Sequence, residues 1–208
     1  MRPVALRNLA LAWITLAAPV SAQEPVTVLV LGDSLAAGYG LAASEGLVPQ
    51  LQAWLDERGA GVTVLNGGVS GDTTAGGLSR LGWALAPEVD AVVVQLGGND
   101  FLRAIDPAVS RDNLRGILEG LAERALPVLL VGIDASGQYG PDYEAAFDGL
   151  YPALAEERGA ALVADFFAPL RDGGSLDAAL REFMQPDGIH PNAVGVERVV
   201  AESLGPAT

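Results

Sequence analysis

Short, mostly apolar runs alternate along this chain with helix-length amphipathic segments, and that alternation limits its possible folds more than any other feature. The runs are Val26–Leu31, Val62–Leu65, Ala91–Leu96, Val128–Ile133 and Ala161–Ala164. Several are nearly continuous in Val and Leu, which predicts strands covered on both faces, as in a parallel sheet. Helices are predicted at about Leu47–Arg58, Ala75–Ala84, Ser110–Ala125, Pro141–Glu157 and Asn192–Leu204. Strands joined through helices are βαβ units. The expected fold class is therefore α/β: a three-layer α/β/α sandwich around a parallel, flavodoxin-like five-stranded sheet. With no linker, repeat or low-complexity tract, residues 23–208 are expected to form one domain.

Residues 1–22 stand apart from that pattern. Arg2 and Arg7 precede an apolar stretch from Leu9 to Val20, and Ser21-Ala22 supplies small residues before Gln23. This predicts a secretory signal peptide cleaved near Ala22. The apolar stretch is short for a membrane span, which needs about 20 residues, so no stable membrane anchor is expected. The mature protein would be periplasmic or secreted.

Composition removes many chemistries. The formal charge is −14, and losing Arg2 and Arg7 would make it two units more negative. A chain this acidic repels phosphate backbones, so no nucleic-acid partner is expected. There is no Lys, which excludes a P-loop lysine or a Schiff base, and no Cys. With a single His as well, a Cys or multi-His metal site cannot be built. No metal and no cofactor is expected.

In sheets of this kind ligands bind beyond the carboxyl ends of the strands. Four polar loops fall there: Gly32-Asp33-Ser34, Asn66 to Asp72, Gly97-Gly98-Asn99-Asp100, and Asp187-Gly188-Ile189-His190. Pro191 biases His190 away from helical backbone and so into a loop. Asp187, three residues earlier, is near enough to hold one ring nitrogen. Ser34 needs such a base to become a nucleophile, although a serine after a strand also serves as a helix cap. The G-x-S-x-G elbow is absent, because Ala36 stands where its second glycine would be. The Gly71 and Ser34 N–H groups and the Asn99 amide could together hold an oxyanion. Each residue has a plainer role taken alone, a loop glycine or an Asx-turn; their convergence on one rim favours chemistry. Phe101, Leu102 and Ile105, in the loop "FLRAID", are expected to contact an acyl chain.

These blocks resemble the SGNH-hydrolase family, also called GDSL esterases and lipases. "LGDSLAAGYG", "NGGVSGDTTAGGLSRL", "VVVQLGGNDFLR" and "DGIHPN" match its four blocks in order, and "YPALAEERG" extends the similarity over nearly all of residues 23–208. Within the family the chain is most similar to the secreted bacterial arylesterase, acyl-CoA thioesterase I and lysophospholipase branch. The resemblance implies Ser34 as nucleophile, His190 as base, Asp187 as its orienting acid, Ser34, Gly71 and Asn99 as oxyanion donors, and Asp33 in support. It implies a serine-dependent carboxylic-ester hydrolase of broad short-to-medium acyl specificity, acting as a monomer on a small-molecule ester or thioester. In the family the loop after the fourth strand lines the acyl pocket, which would bring Ala135, Ser136 and Tyr139 into it. Here that loop reads "GIDASGQYG", with Gln138 in place of the branch's Asn and without its proline, so substrate preference is where this chain should differ. The rival expectations are a carbohydrate O-deacetylase of the same fold, a catalytically silent secreted binding module and, on fold class alone, an FMN protein.

Overall fold

The five apolar runs form one parallel sheet because helical segments between them return the chain to the same end of the sheet before each new strand. The computed structural model describes residues 25–135, 137–171 and 176–204. The predicted leader and Ser136 lie outside the described residues. Strands β1 (Val26–Gly32), β2 (Val62–Gly68), β3 (Ala91–Gln95), β4 (Val128–Val131) and β5 (Ala161–Val163) are all parallel, in the order β2-β1-β3-β4-β5. The predicted class and strand number are those observed. The strand order reverses between β1 and β3, the crevice where sheets of this topology bind ligands.

Alternate residues of each strand serve opposite layers. Leu29 and Leu31 of β1, with Val92 and Val94 of β3, pack against α3 (Thr74–Ala84), α5 (Pro107–Ala122), α6 (Pro141–Asp148) and α7 (Leu150–Arg158). Val30 and Val93 point the other way, into a second core with Leu35, Leu51, Phe166 and Val199. That second core is roofed by α1 (Ser34–Ala37), α2 (Leu47–Glu57), α8 (Ala168–Arg171), α9 (Leu176–Phe183) and α10 (Ala193–Val199). A strand buried on both faces has no room for polar alternation, hence the apolar runs.

Two predicted helices differ in instructive ways. The segment Pro141–Glu157 divides into α6 and α7 around Gly149. Pro152 is the cause: it has no N–H for the Asp148 carbonyl and its ring crowds that group. The last helix is α-helical only over Ala193–Val199 and widens into a π-helical turn at Val200–Leu204. The short helices α1, α4 (Gly98–Leu102), α8 and α9 are additions to the predicted set. Among the described residues no helix is long and apolar enough to cross a membrane.

Candidate active site

β1 ends in the second core's face of the sheet, and its last residue hands the chain to Asp33. The Asp33 side chain caps α1 by accepting the Leu35 N–H at 3.0 Å. This places Ser34 as the first residue of a four-residue helix that stops at Gly38, in the left-handed region. So short a helix leaves the Ser34 hydroxyl on the rim of the sheet.

The Ser34 Oγ lies 2.9 Å from His190 Nε2, across 156 positions of sequence. His190 Nδ1 lies 2.7 Å from Asp187 Oδ2. With Nδ1–H donated to Asp187, Nε2 is left to accept the serine proton. The other Asp187 oxygen accepts the N–H groups of Ile189 and His190, each at 3.0 Å. Desolvation pushes the Asp187 carboxyl up, but the His190 and Ile189 N–H groups and the His190 ring outweigh it and hold it at about 2. It therefore stays ionised beside the imidazole. The Tyr39 ring covers His190, with centroids 4.7 Å apart.

The histidine loop is fastened at several points. Met184 bridges Pro191 in antiparallel fashion, and Gln185 N–H donates to the His190 carbonyl at 2.8 Å. Gln185 Nε2 donates to the Tyr39 carbonyl at 2.8 Å and the Pro191 carbonyl at 3.0 Å. Asn192 caps α10 by accepting the Gly195 N–H, and its Nδ2 donates back to the Glu182 carbonyl at 2.8 Å.

Gly71 and Asn99 reach the same cleft from the ends of β2 and β3. Gly71 takes φ +81°, which a side chain would strain. Among the described residues, the N–H groups of Ser34 and Gly71 donate to no protein acceptor. Asn99 Nδ2 makes only a long 3.5 Å contact to Asp33 Oδ2. Ser34, Gly71 and Asn99 all line one cleft. Next to them Asp33 is buried, and burial pushes its carboxyl up to about 6, against the Leu35 N–H, the side chains of Gln95 and Asn99, and the His190 charge.

A cavity of about 450 Å³ opens beside Ser34. Phe101 and Leu102 line it. Ile105, Ala135 and Tyr139 do not. Ala135 is packed into the first core, and Tyr139 lies outside Phe101, with ring centroids 5.5 Å apart in an edge contact. The Ile105 carbonyl is taken by the Tyr143 hydroxyl. The opposite wall comes instead from Phe167, Leu170, Ala179, Leu180 and Met184.

A sequence profile of the GDSL-like Lipase/Acylhydrolase family matches residues 30–198. The chain belongs to this family. Esterase TesA of Pseudomonas aeruginosa is 41% identical over 197 residues, 94% of this chain and 92% of that protein. An arylesterase of Vibrio mimicus is 36% identical over 172 residues, 82% of each chain. The crystal structure of AlinE4, an SGNH-hydrolase family esterase, matches with a TM-score of 0.73 at 42% identity, over 87% of this chain and 94% of that one. The crystal structure of TesA matches with a TM-score of 0.76 at 41% identity, over 84% and 94%.

Within this GDSL-family fold, several supporting residues escape a reading of motifs alone. Buried Asp100 accepts from Thr74 Oγ1 at 2.5 Å, Thr74 N at 2.8 Å and Ser110 Oγ at 2.9 Å, so the segment carrying Asn99 is tied to the start of α3. Buried Tyr151 donates to the Leu96 carbonyl at 3.0 Å, just before the Gly97 turn. Their signal is faint: an acidic residue closing a short glycine-rich block, and a tyrosine in a helical segment. The wall from α8 and α9 carried none, because those helices are too short for a periodic pattern.

Proposed function

We propose that this protein is a serine-dependent carboxylic-ester hydrolase, with Ser34 as nucleophile, His190 as general base and Asp187 as the residue that orients it. The observation that carries the reading is the unbroken hydrogen-bond chain from Ser34 Oγ through His190 to Asp187, at 2.9 and 2.7 Å. As the hydroxyl attacks the acyl carbonyl, His190 Nε2 takes its proton. The Asp187 carboxylate stabilises the imidazolium that forms. The tetrahedral oxyanion is held by the N–H groups of Ser34 and Gly71 and by Asn99 Nδ2. Collapse expels the alcohol or thiol, which receives the proton from His190. Water then repeats the sequence and releases the acid, so no cofactor enters the cycle.

The apolar walls beside Ser34 favour short-to-medium acyl chains on aryl, alkyl or thiol leaving groups. A sugar acetate would need polar groups where Phe101, Phe167 and Leu170 stand. The family relatives named esterase and arylesterase agree with this choice. Residues 1–22 are the export leader in this reading, and an N-terminus beginning at Gln23 in the purified mature protein is the expected mass-spectrometric result.

Ser34→Ala should abolish p-nitrophenyl ester turnover and labelling by a fluorophosphonate probe while the fold is retained. Residual turnover at the native rate would remove the assignment. Asp187→Asn should lower kcat on the order of 10²–10⁴, because the base loses its orienting carboxylate. Since Asp187 is held at about 2, wild-type activity should show no loss from its protonation above about pH 3.

A further inference from the structure

We propose that Arg80 is a positioning residue: through Asp72 and the Gly32 carbonyl it sets the spacing between the oxyanion turn at Gly71 and the nucleophile at Ser34. This rests on the ester-hydrolase reading above. Arg80 Nε donates to Asp72 Oδ2 at 2.7 Å, and Arg80 Nη2 donates to the Gly32 carbonyl at 3.0 Å. Gly32 lies two residues before Ser34, and Asp72 directly follows Gly71. One guanidinium therefore spans the two loops that supply the nucleophile and a donor to the oxyanion.

The surrounding bonds make this a frame rather than a chance contact. The Gly32 carbonyl also accepts the Val69 N–H at 3.0 Å, and the Asp72 N–H closes the turn onto the Val69 carbonyl at 3.0 Å. Gly71, inside that turn, is tied from its other side by Arg103 Nη2, which donates to the Gly71 carbonyl at 2.9 Å. The Arg80 and Asp72 side chains are only 16% and 11% exposed, so solvent screens the pair little. A planar fork suits this double engagement, whereas an ammonium cannot hold a carboxylate and a carbonyl in the same fixed plane. Neither Arg80 nor Asp72 lines the cleft, so the pair acts on the reaction only through the peptide groups it holds.

The expected outcome follows from what the oxyanion donors do. Removing one donor typically costs about 10²–10³ in kcat, so letting one drift should cost about 10–10². Arg80→Met and Arg80→Lys should each lower kcat by about 10–10² with KM changed less than about threefold. The inhibition constant of a trifluoromethyl ketone, which forms a tetrahedral oxyanion adduct, should rise by the same factor as kcat/KM falls. Binding of the product acid should not change. Free guanidinium at non-denaturing concentration should restore part of the rate to Arg80→Ala.

Gly76→Ala provides an independent route, because a Cβ there would overlap Asp72 Oδ1 and turn that carboxylate away from Arg80. It should lower kcat with the thermal midpoint unchanged or raised. The proposal is overturned if Arg80→Met keeps kcat within twofold. It is equally overturned if the inhibitor constant moves no more than KM while the thermal midpoint falls, which is the signature of a purely structural pair. Failure of the underlying reading is separate, since Ser34→Ala would then retain turnover.

Discussion

Asp33 directly precedes Ser34, the proposed nucleophile, with only 2% of its surface exposed, and burial pushes its carboxyl up to about 6 from an ordinary value of 3.8. Between those two values the folded protein holds a proton that the unfolded chain has released. The stabilising contribution of that proton is complete below about pH 4 and is lost as pH rises through about 6. At neutral pH and above, the ionised carboxylate therefore strains the fold by roughly 2–3 kcal/mol. Asp33→Asn should be more stable than the wild type at pH 8 by about that amount in urea titrations, and the gain should fade toward pH 4. The same variant should lose activity, because the new amide turns N–H groups toward Asn99 where a carboxylate oxygen now accepts. A more stable and less active variant is the pattern of a site that keeps strain for function.

Among the elements, the turn from Met184 to Asn192 does most to assemble the site. It carries Asp187 and His190, and it is fastened to α9 by Asn192, whose N–H donates to the Phe183 carbonyl at 2.8 Å and whose Nδ2 donates to the Glu182 carbonyl at 2.8 Å, and to the loop after α1 by Gln185 Nε2 on the Tyr39 carbonyl. Asn192 is the hinge of this arrangement: it caps α10 and clamps the carbonyl of Glu182. Asn192→Ala should cost about 1–2 kcal/mol through the cap alone, measured by urea unfolding. It should also lower kcat, since His190 lies two residues away. Gly195 must remain small for the same reason, as a Cβ there would overlap the Phe183 carbonyl.

Across the whole molecule, the cavity beside Ser34 belongs to neither core alone. One wall, Phe101 and Leu102, rides on α4 beside the first core, and the other comes from α8 and α9 above the second. Filling the second wall should trim the cavity without touching the chemistry. Ala179→Phe should lower kcat/KM for long-chain p-nitrophenyl esters about tenfold relative to the acetate. An unchanged chain-length profile would place the acyl chain elsewhere. The amino-acid sequence by itself determined the strands and the parallel sheet, because these depend on periodicity, and it brought Ser34, Asp187, His190, Gly71 and Asn99 forward as site candidates through short blocks that resemble those of the family. Only the tertiary structure decided which side chains meet across the rim. The Arg80 bond to Gly32 and the Asp100–Thr74 tie join residues 48 and 26 positions apart, and the α8–α9 wall shares its cleft with Phe101 of α4. The short helices among them leave no periodic trace, and strand order, which no local pattern encodes, brings their ends together.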